Sequence, residues 1–523
     1  MTRRELVLRV GRAGGYSAAF SIMRSMGLLA APPAVPEALR ITPGTGKGTK
    51  VAILGAGIAG LVTAYEMRKA GFDCTVIEAR ERPGGRNWSV RRGTKVEFTD
   101  GTSQLCDFEE GHYFNAGPAR LPSTHQTMLG YCKELGVALE VEVNTSRSTF
   151  LESDDAFGGR PIEQRQAIND TRGHVSELLA KAIHQGSLDR QLTAEDRERM
   201  LDFLETYGDL QPDRSYQGSL RAGAKRMAGA ADLTQVTRDP LPMHALLDAN
   251  FWRSLMFEES FDMQATMFQP VGGMDRIPYA FAQSLGNVVK YGCPVQEIRK
   301  TANGVRIVYR ERGVPQSLEA SYCVCALPLH IASRIGNDFA PRVRAAFDQV
   351  KYDSAFKIAW ESRRFWEQEN NIYGGISWLT NPNIGLVWYP SARIFSEKGI
   401  VISGYSVEPK QFAPLSMDAK LALSRGAVEK LHPGRGQELA KPMYVCWGKI
   451  PYNEGSWVSR GQGERENAEG AAYYNGPYKE FLTPDDRIFF AGDHCTHVIG
   501  WQEGAALSAR RAINMIAEHM RKA

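Results

Sequence analysis

The 523-residue chain has no uninterrupted run of about 18 apolar residues, so no stretch reads as a membrane span. It has no imbalance of charge either: 63 basic against 59 acidic residues leave +4, and no basic run is interleaved with aromatics. That argues against a nucleic-acid partner and favours small-molecule chemistry. Eight cysteines are scattered without a C-x-x-C pair, which excludes a dense disulfide framework and leaves them as small buried apolar residues. His494-Cys495-Thr496-His497 has no second ligand pair at a familiar spacing, so no metal is assigned. What is present is an ordinary globular composition, 43% hydrophobic and 23% charged, over a length that implies two or three domains.

The informative stretch is Val51-Ala-Ile-Leu-Gly-Ala-Gly-Ile-Ala-Gly60. Four apolar residues predict a buried parallel strand, and Gly55, Gly57 and Gly60 have the spacing of a turn into a helix whose first amides, at Ile58 and Ala59, face a pyrophosphate. Ile58, Leu61, Val62 and Tyr65 recur at helical spacing, Gly71 ends the helix, and Cys74–Ile77 predicts the second strand. Glu78 stands at the tip of that strand, where a carboxylate accepts hydrogen bonds from an adenosine ribose. Strand, glycine turn, helix, strand and acidic tip in this order point to a dinucleotide site.

A second glycine turn follows, with Glu78, Ala79, Arg80, Gly85 and Arg86 in an E-A-x-x-R-x-G-G-R run. With it the chain resembles the flavin-dependent amine oxidase superfamily. The resemblance recurs at Gly117-Pro118-Ala119-Arg120-Leu-Pro122, Gly272-Gly-Met274, Lys357, and Ala491-Gly492-Asp493-His494 through Gly500-Trp501-Gln502-Glu-Gly-Ala505. The G-P-x-R-L-P element resembles the L-amino-acid oxidase branch. The resemblance implies non-covalent FAD, since no cysteine lies between Trp447 and His494 to attach it. It places Val295 by the adenine, Asp493 by the ribityl or phosphate groups, and Gly500 to Ala505 by the flavin pyrimidine. It also implies that Arg120 binds the substrate's α-carboxylate with help from Tyr405, and that Lys357 holds a water against flavin N5. Trp501 becomes a wall beside the reacting carbon, and the Gly500 carbonyl an acceptor for the substrate amine. Arginine's planar fork of donors suits a carboxylate and keeps its charge when water is excluded.

The expected fold class is α/β, α+β in the substrate part: a Rossmann-like FAD-binding domain of the amine oxidase type, a mixed-sheet substrate domain and an inserted helical lobe. Residues 1–48 are a signal-like segment and linker, with Arg3-Arg4 resembling a twin-arginine export signal. The alternative for this segment is an amphipathic helix on the body, in a cytoplasmic protein. Residues 49–122, 270–330 and 484–523 form the FAD domain, 123–262 the helical lobe, and 263–284 with 331–483 the substrate domain. In the lobe, Arg165 to Gly186 and Leu192 to Tyr207 have helical periodicity, with a capping box at Thr193-Ala-Glu-Asp196. The final helix is expected over Ala505 to Met520. The aromatics between 370 and 460, including Trp388, Trp447, Tyr452 and Trp457, are expected mostly in the core.

The resemblance thus implies oxidation of L-amino acids by O2 to 2-oxo acids, ammonia and hydrogen peroxide, in a homodimer; the aromatic residues suggest large apolar or aromatic side chains, with a broad range as the alternative. The rivals are an L-amino-acid monooxygenase giving an amide and CO2, a monoamine or polyamine oxidase that has no use for Arg120, and a flavin-binding scaffold without activity.

Overall fold

Lys50–Leu54 is the strand at the centre of a five-stranded parallel sheet. The computed structural model describes residues 37–459 and 468–522; Arg3-Arg4 and the N-terminal segment up to residue 36 lie outside them. Asp73–Ile77 and then Val289–Lys290 flank the central strand on one side, Tyr322–Cys325 and then Ile488–Phe490 on the other. The middle strand is buried from Val51 to Leu54, and Tyr322–Cys325 throughout, as a sheet covered on both faces requires. The α/β expectation holds, with the sheet assembled from segments more than 400 residues apart.

The first helix, Ile58–Lys69, starts where the sequence places it. Gly55 takes φ +95°, which an L side chain rarely adopts, and its N–H donates to Ile77 O at 2.8 Å, tying turn to second strand. A Cβ at Gly60 would lie 1.9 Å from Gly55 O, a backbone atom that cannot swing aside. Gly60→Ala is therefore expected to destabilise the protein by roughly 1–3 kcal/mol and to lower its flavin content, read as a fall in Tm and in the visible-to-ultraviolet absorbance ratio. An unchanged Tm would mean that strand and helix do not meet this closely.

A seven-stranded mixed sheet forms the second layer, and Ala355–Arg363 lies in it between Lys398–Val407 and Ala440–Cys446. Its register sets Lys357 opposite Tyr405, so both side chains leave the same face. The pairing shifts between Lys357 and Ala359, a local irregularity of the kind that re-aims a side chain. A three-stranded sheet, Leu121–Pro122, Met267–Pro270 and Leu139–Glu142, carries the segment after Arg120.

The helices between 164 and 208 are Gln164–His184 and Ala194–Gly208. The second opens on the expected capping box: Asp196 N–H donates to Thr193 Oγ1 at 3.1 Å and Thr193 N–H to Asp196 Oδ2 at 3.4 Å. The last helix runs Gln502–Lys522, three residues earlier than the periodicity suggests, because Gln502 and Glu503 turn buried polar side chains inward. No helix among the described residues is long and apolar enough to cross a membrane.

Candidate active site

A cavity of about 450 Å³ opens between the parallel sheet and the mixed sheet, within the size range of small-molecule sites. Its wall includes Gly55, Gly57, Ile58 and Ala59 from the first turn, and Glu78, Ala79 and Arg80 from the second strand's tip. Gly85 and Arg86 face it from the second glycine turn, Gly117 and Pro118 from the G-P-x-R element, and Val295 from its own strand. Gly492, Asp493, Gly500, Trp501, Gln502 and Ala505 complete it from the C-terminal segment, and Lys357 and Tyr405 from the mixed sheet.

Three residues expected at the cofactor do not line this cavity. Gly60 faces the glycine turn. Ala119 is packed in the core cluster of the mixed sheet. Arg120 turns away toward Asn144 and Trp388.

The helix at Gly57 begins without a side-chain cap, so its first amides are available to an anion. Glu78 Oε2 accepts from Ala56 N at 2.7 Å and Oε1 from Arg80 N at 2.9 Å. Each oxygen keeps a lone pair, enough for two ribose hydroxyls. Arg86 Nη2 meets Asp493 Oδ1 at 2.5 Å, and Asp493 Oδ2 accepts from Gly500 N at 3.0 Å. Burial alone would raise the Asp493 carboxyl; the Arg86 guanidinium outweighs it and holds the group below the usual carboxylate range. Asn87 Nδ2 donates to Gln502 Oε1 at 2.5 Å, leaving Asn87 Oδ1 and Gln502 Nε2 buried on the wall without partners. Both ring nitrogens of His494 are also buried and unpartnered, and burial pushes this imidazole down to about 4, so it is neutral. Orphaned donors and acceptors beside an uncapped helix start fit a cofactor with a pyrophosphate and a heteroatom-rich ring.

Lys357 is buried on the mixed-sheet side, and its Nζ donates to Asn115 O at 2.8 Å and Gly117 O at 2.6 Å. Burial, and then the Arg120 charge, hold its pKa well below the ordinary lysine value. The two carbonyls take two of its N–H donors and fix where Nζ points. Tyr405 stays a protonated phenol, raised by burial and only partly offset by Arg120.

Arg120 is buried, with its guanidinium 4.4 Å from the centroid of Trp388. Its Nη1 donates to Asn144 Oδ1 and lies 3.8 Å from Met263 Sδ. Trp388 also has Lys357 Nζ 5.4 Å from its centroid and Tyr405 stacked 6.3 Å away, so one indole gathers Arg120, Lys357 and Tyr405.

Several wall residues had no signal in the sequence. Trp447, whose Nε1 donates to Ala116 O at 3.0 Å, and Trp457, whose Nε1 donates to Asp353 Oδ2 at 3.0 Å, face the cavity although both read as core aromatics. Asn453 accepts from Arg80 at 2.5 Å and Ser456 O accepts from Arg86. These pairs span some 370 residues and leave no local pattern.

Parallel sheet, uncapped glycine turn, acidic strand tip and cavity together define a dinucleotide-binding protein. The family model for flavin containing amine oxidoreductases matches residues 58–516, and the chain belongs to that family, with FAD as its cofactor. It is 25% identical over 496 residues to an L-amino-acid oxidase of Daboia russelii, covering 90% of this chain and 89% of the relative. It is 26% identical over 493 residues to an L-amino acid oxidase of Bothrops pictus, covering 90% of each. Among solved structures, putrescine oxidase bound to putrescine aligns with TM-score 0.58 at 17% identity, over 91% of this chain and 99% of that one. Cyclohexylamine oxidase from Brevibacterium oxydans aligns with TM-score 0.59 at 18% identity, over 90% and 99%. These likenesses in structure are likenesses of fold.

Proposed function

We propose that this flavin amine oxidoreductase is an L-amino-acid oxidase, converting L-amino acids and O2 to 2-oxo acids, ammonia and hydrogen peroxide. Arg120 carries the proposal. It is a buried guanidinium that forms no ion pair with a carboxylate among the described residues, and its bonds go to neutral Asn144 and Met263. A desolvated cation in that state is stabilised by an incoming anion. An amine without a carboxylate offers none.

In this reading Arg120 and the Tyr405 hydroxyl hold the substrate carboxylate, and Trp501 and the Gly500 carbonyl orient the side chain and the amine. Gly57, Glu78, Arg86, Asp493, Gln502 and their neighbours hold the FAD, which accepts two electrons from the substrate and returns them to oxygen. Fixing the reacting carbon is the main catalytic contribution of the chain, since preorganised orientation is worth roughly 7–11 kcal/mol at best. Phe356, Trp447, Trp457 and Trp501 on the wall favour large apolar or aromatic side chains.

Lys357, held by the Asn115 and Gly117 carbonyls, positions a water for the reaction of reduced flavin with oxygen. Lys357→Met is expected to slow reoxidation of the reduced enzyme roughly 10²-fold in stopped flow while changing its reduction by substrate much less. Equal reoxidation rates would remove this role.

The proposal is tested with twenty L-amino acids and their decarboxylated amines, scored for peroxide, ammonia and CO2, with catalase present in the CO2 assay. Peroxide and ammonia in equal amounts from amino acids alone are expected. CO2 with an amide product would identify a monooxygenase, and turnover of the amines alone would refute the substrate class.

A further inference from the structure

Beside Arg120 lies an acid that no step above uses. Glu142 ends the strand Leu139–Glu142, two residues before Asn144, the acceptor for Arg120. It is 3% exposed, and neither carboxylate oxygen has a hydrogen-bond partner. Trp388, which carries Arg120 on its face, turns its indole nitrogen toward Glu142, but no bond of normal geometry closes and Nε1 is unpartnered too. A buried carboxyl left in this state has no structural bond to keep, while its charge acts on the one guanidinium meant for substrate.

We propose that Glu142 is a positioning residue for substrate: as a neutral acid it leaves the Arg120 charge to the substrate carboxylate, and as a carboxylate it competes with substrate for that charge. The inference rests on the reading of Arg120 as the anion site.

The groups around Glu142 support this assignment. From the paired strand Met267–Pro270 its register partner is Met267, and from Leu386–Trp388 it meets Trp388, neither of which titrates. Arg120 is the charged group that acts on it among the described residues, while Lys357 and Tyr405 respond to Arg120. Burial raises the Glu142 carboxyl, and Arg120 offsets only part of that, leaving it at about 7. The change of state therefore falls at physiological pH. The sign follows from linkage: an anion bound at Arg120 favours the protonated acid, so anion binding takes up a proton and weakens as pH rises above the free-enzyme value.

The test uses the FAD-loaded enzyme and benzoate, a carboxylate that is anionic throughout the range and has no amine to titrate, with Kd read from the flavin difference spectrum. Between pH 6 and 8.5 the wild-type Kd is expected to rise about tenfold or more. Glu142→Gln, of the same shape, is expected to change less than about twofold over that range at full flavin content, and Glu142→Asp to restore the slope. An equal slope in wild type and Glu142→Gln overturns the proposal, as does a flat wild-type profile when benzoate binds. Benzoate that fails to bind, or binds equally to Arg120→Met, overturns the reading of Arg120 itself, an outcome distinct from the failure of Glu142 alone.

Discussion

Replacing Arg120 by methionine is expected to lower kcat/KM for L-amino acids roughly 30- to 4,000-fold, mostly through KM, with flavin content unchanged. The range corresponds to about 2–5 kcal/mol for removing one partner of a buried, hydrogen-bonded charge pair. The split between substrate and cofactor effects follows from position. Arg120 does not line the cavity itself; it lies against Trp388, behind Lys357 and Tyr405, which do line it and feel its charge. Methionine keeps an apolar stem of similar length and removes the guanidinium that lies over the indole, with its fork of donors. Steady-state kinetics with one good substrate, beside the flavin absorbance of the purified variant, decides the matter. Loss of flavin with unchanged KM would make Arg120 a structural residue.

Asp493→Ala should give the second largest effect, on stability and cofactor retention together. The carboxylate is the partner of Arg86 at 2.5 Å and the acceptor for Gly500 N, so its loss frees a guanidinium and opens the turn before the last helix. Breaking a fully buried pair costs about 3–5 kcal/mol; here the Arg86 side chain retains 28% exposure onto the cavity, which moves the expectation to about 2–3 kcal/mol. The variant should purify largely without flavin and melt at lower temperature. The wild-type pair also sets an acid limit. Asp493 is held below its ordinary value, so its contribution is present above pH about 4 and is lost as pH falls through the lower folded value. Thermal melts between pH 3 and 6 should show Asp493→Ala losing less stability than wild type at the acid end. Parallel losses would place the acid sensitivity elsewhere.

The cofactor half of the cavity was legible because its chemistry is local. Gly55, Gly57 and Gly60 act within one turn, Glu78 stands at the end of one strand, and Thr193 with Asp196 closes a cap over three residues. The substrate half was legible only where a short element carried it. Gly117–Pro122 marked Arg120, but not that its guanidinium would settle on Trp388, some 270 positions later. Glu142 falls in the stretch 123–262 read as a helical lobe, and no local pattern singles it out. What makes it unusual is the burial it acquires when Met267 pairs beside it and Trp388 closes over Arg120, and that is a property of tertiary packing. Trp447 is buried in the core as expected and also faces the cavity, and Trp457 lines the cavity, because an aromatic that faces a cavity has the same local pattern as one that faces the core.

The central claim is that a buried guanidinium selects a substrate bearing a carboxylate. Its most direct test is anaerobic mixing of the FAD-loaded enzyme with L-leucine and, separately, with 3-methylbutylamine, the same molecule without the carboxylate, following the 450–460 nm flavin band. The account predicts rapid bleaching by L-leucine, little by the amine, and loss of that preference in Arg120→Met. Equal bleaching by the two compounds in the wild-type enzyme would contradict it.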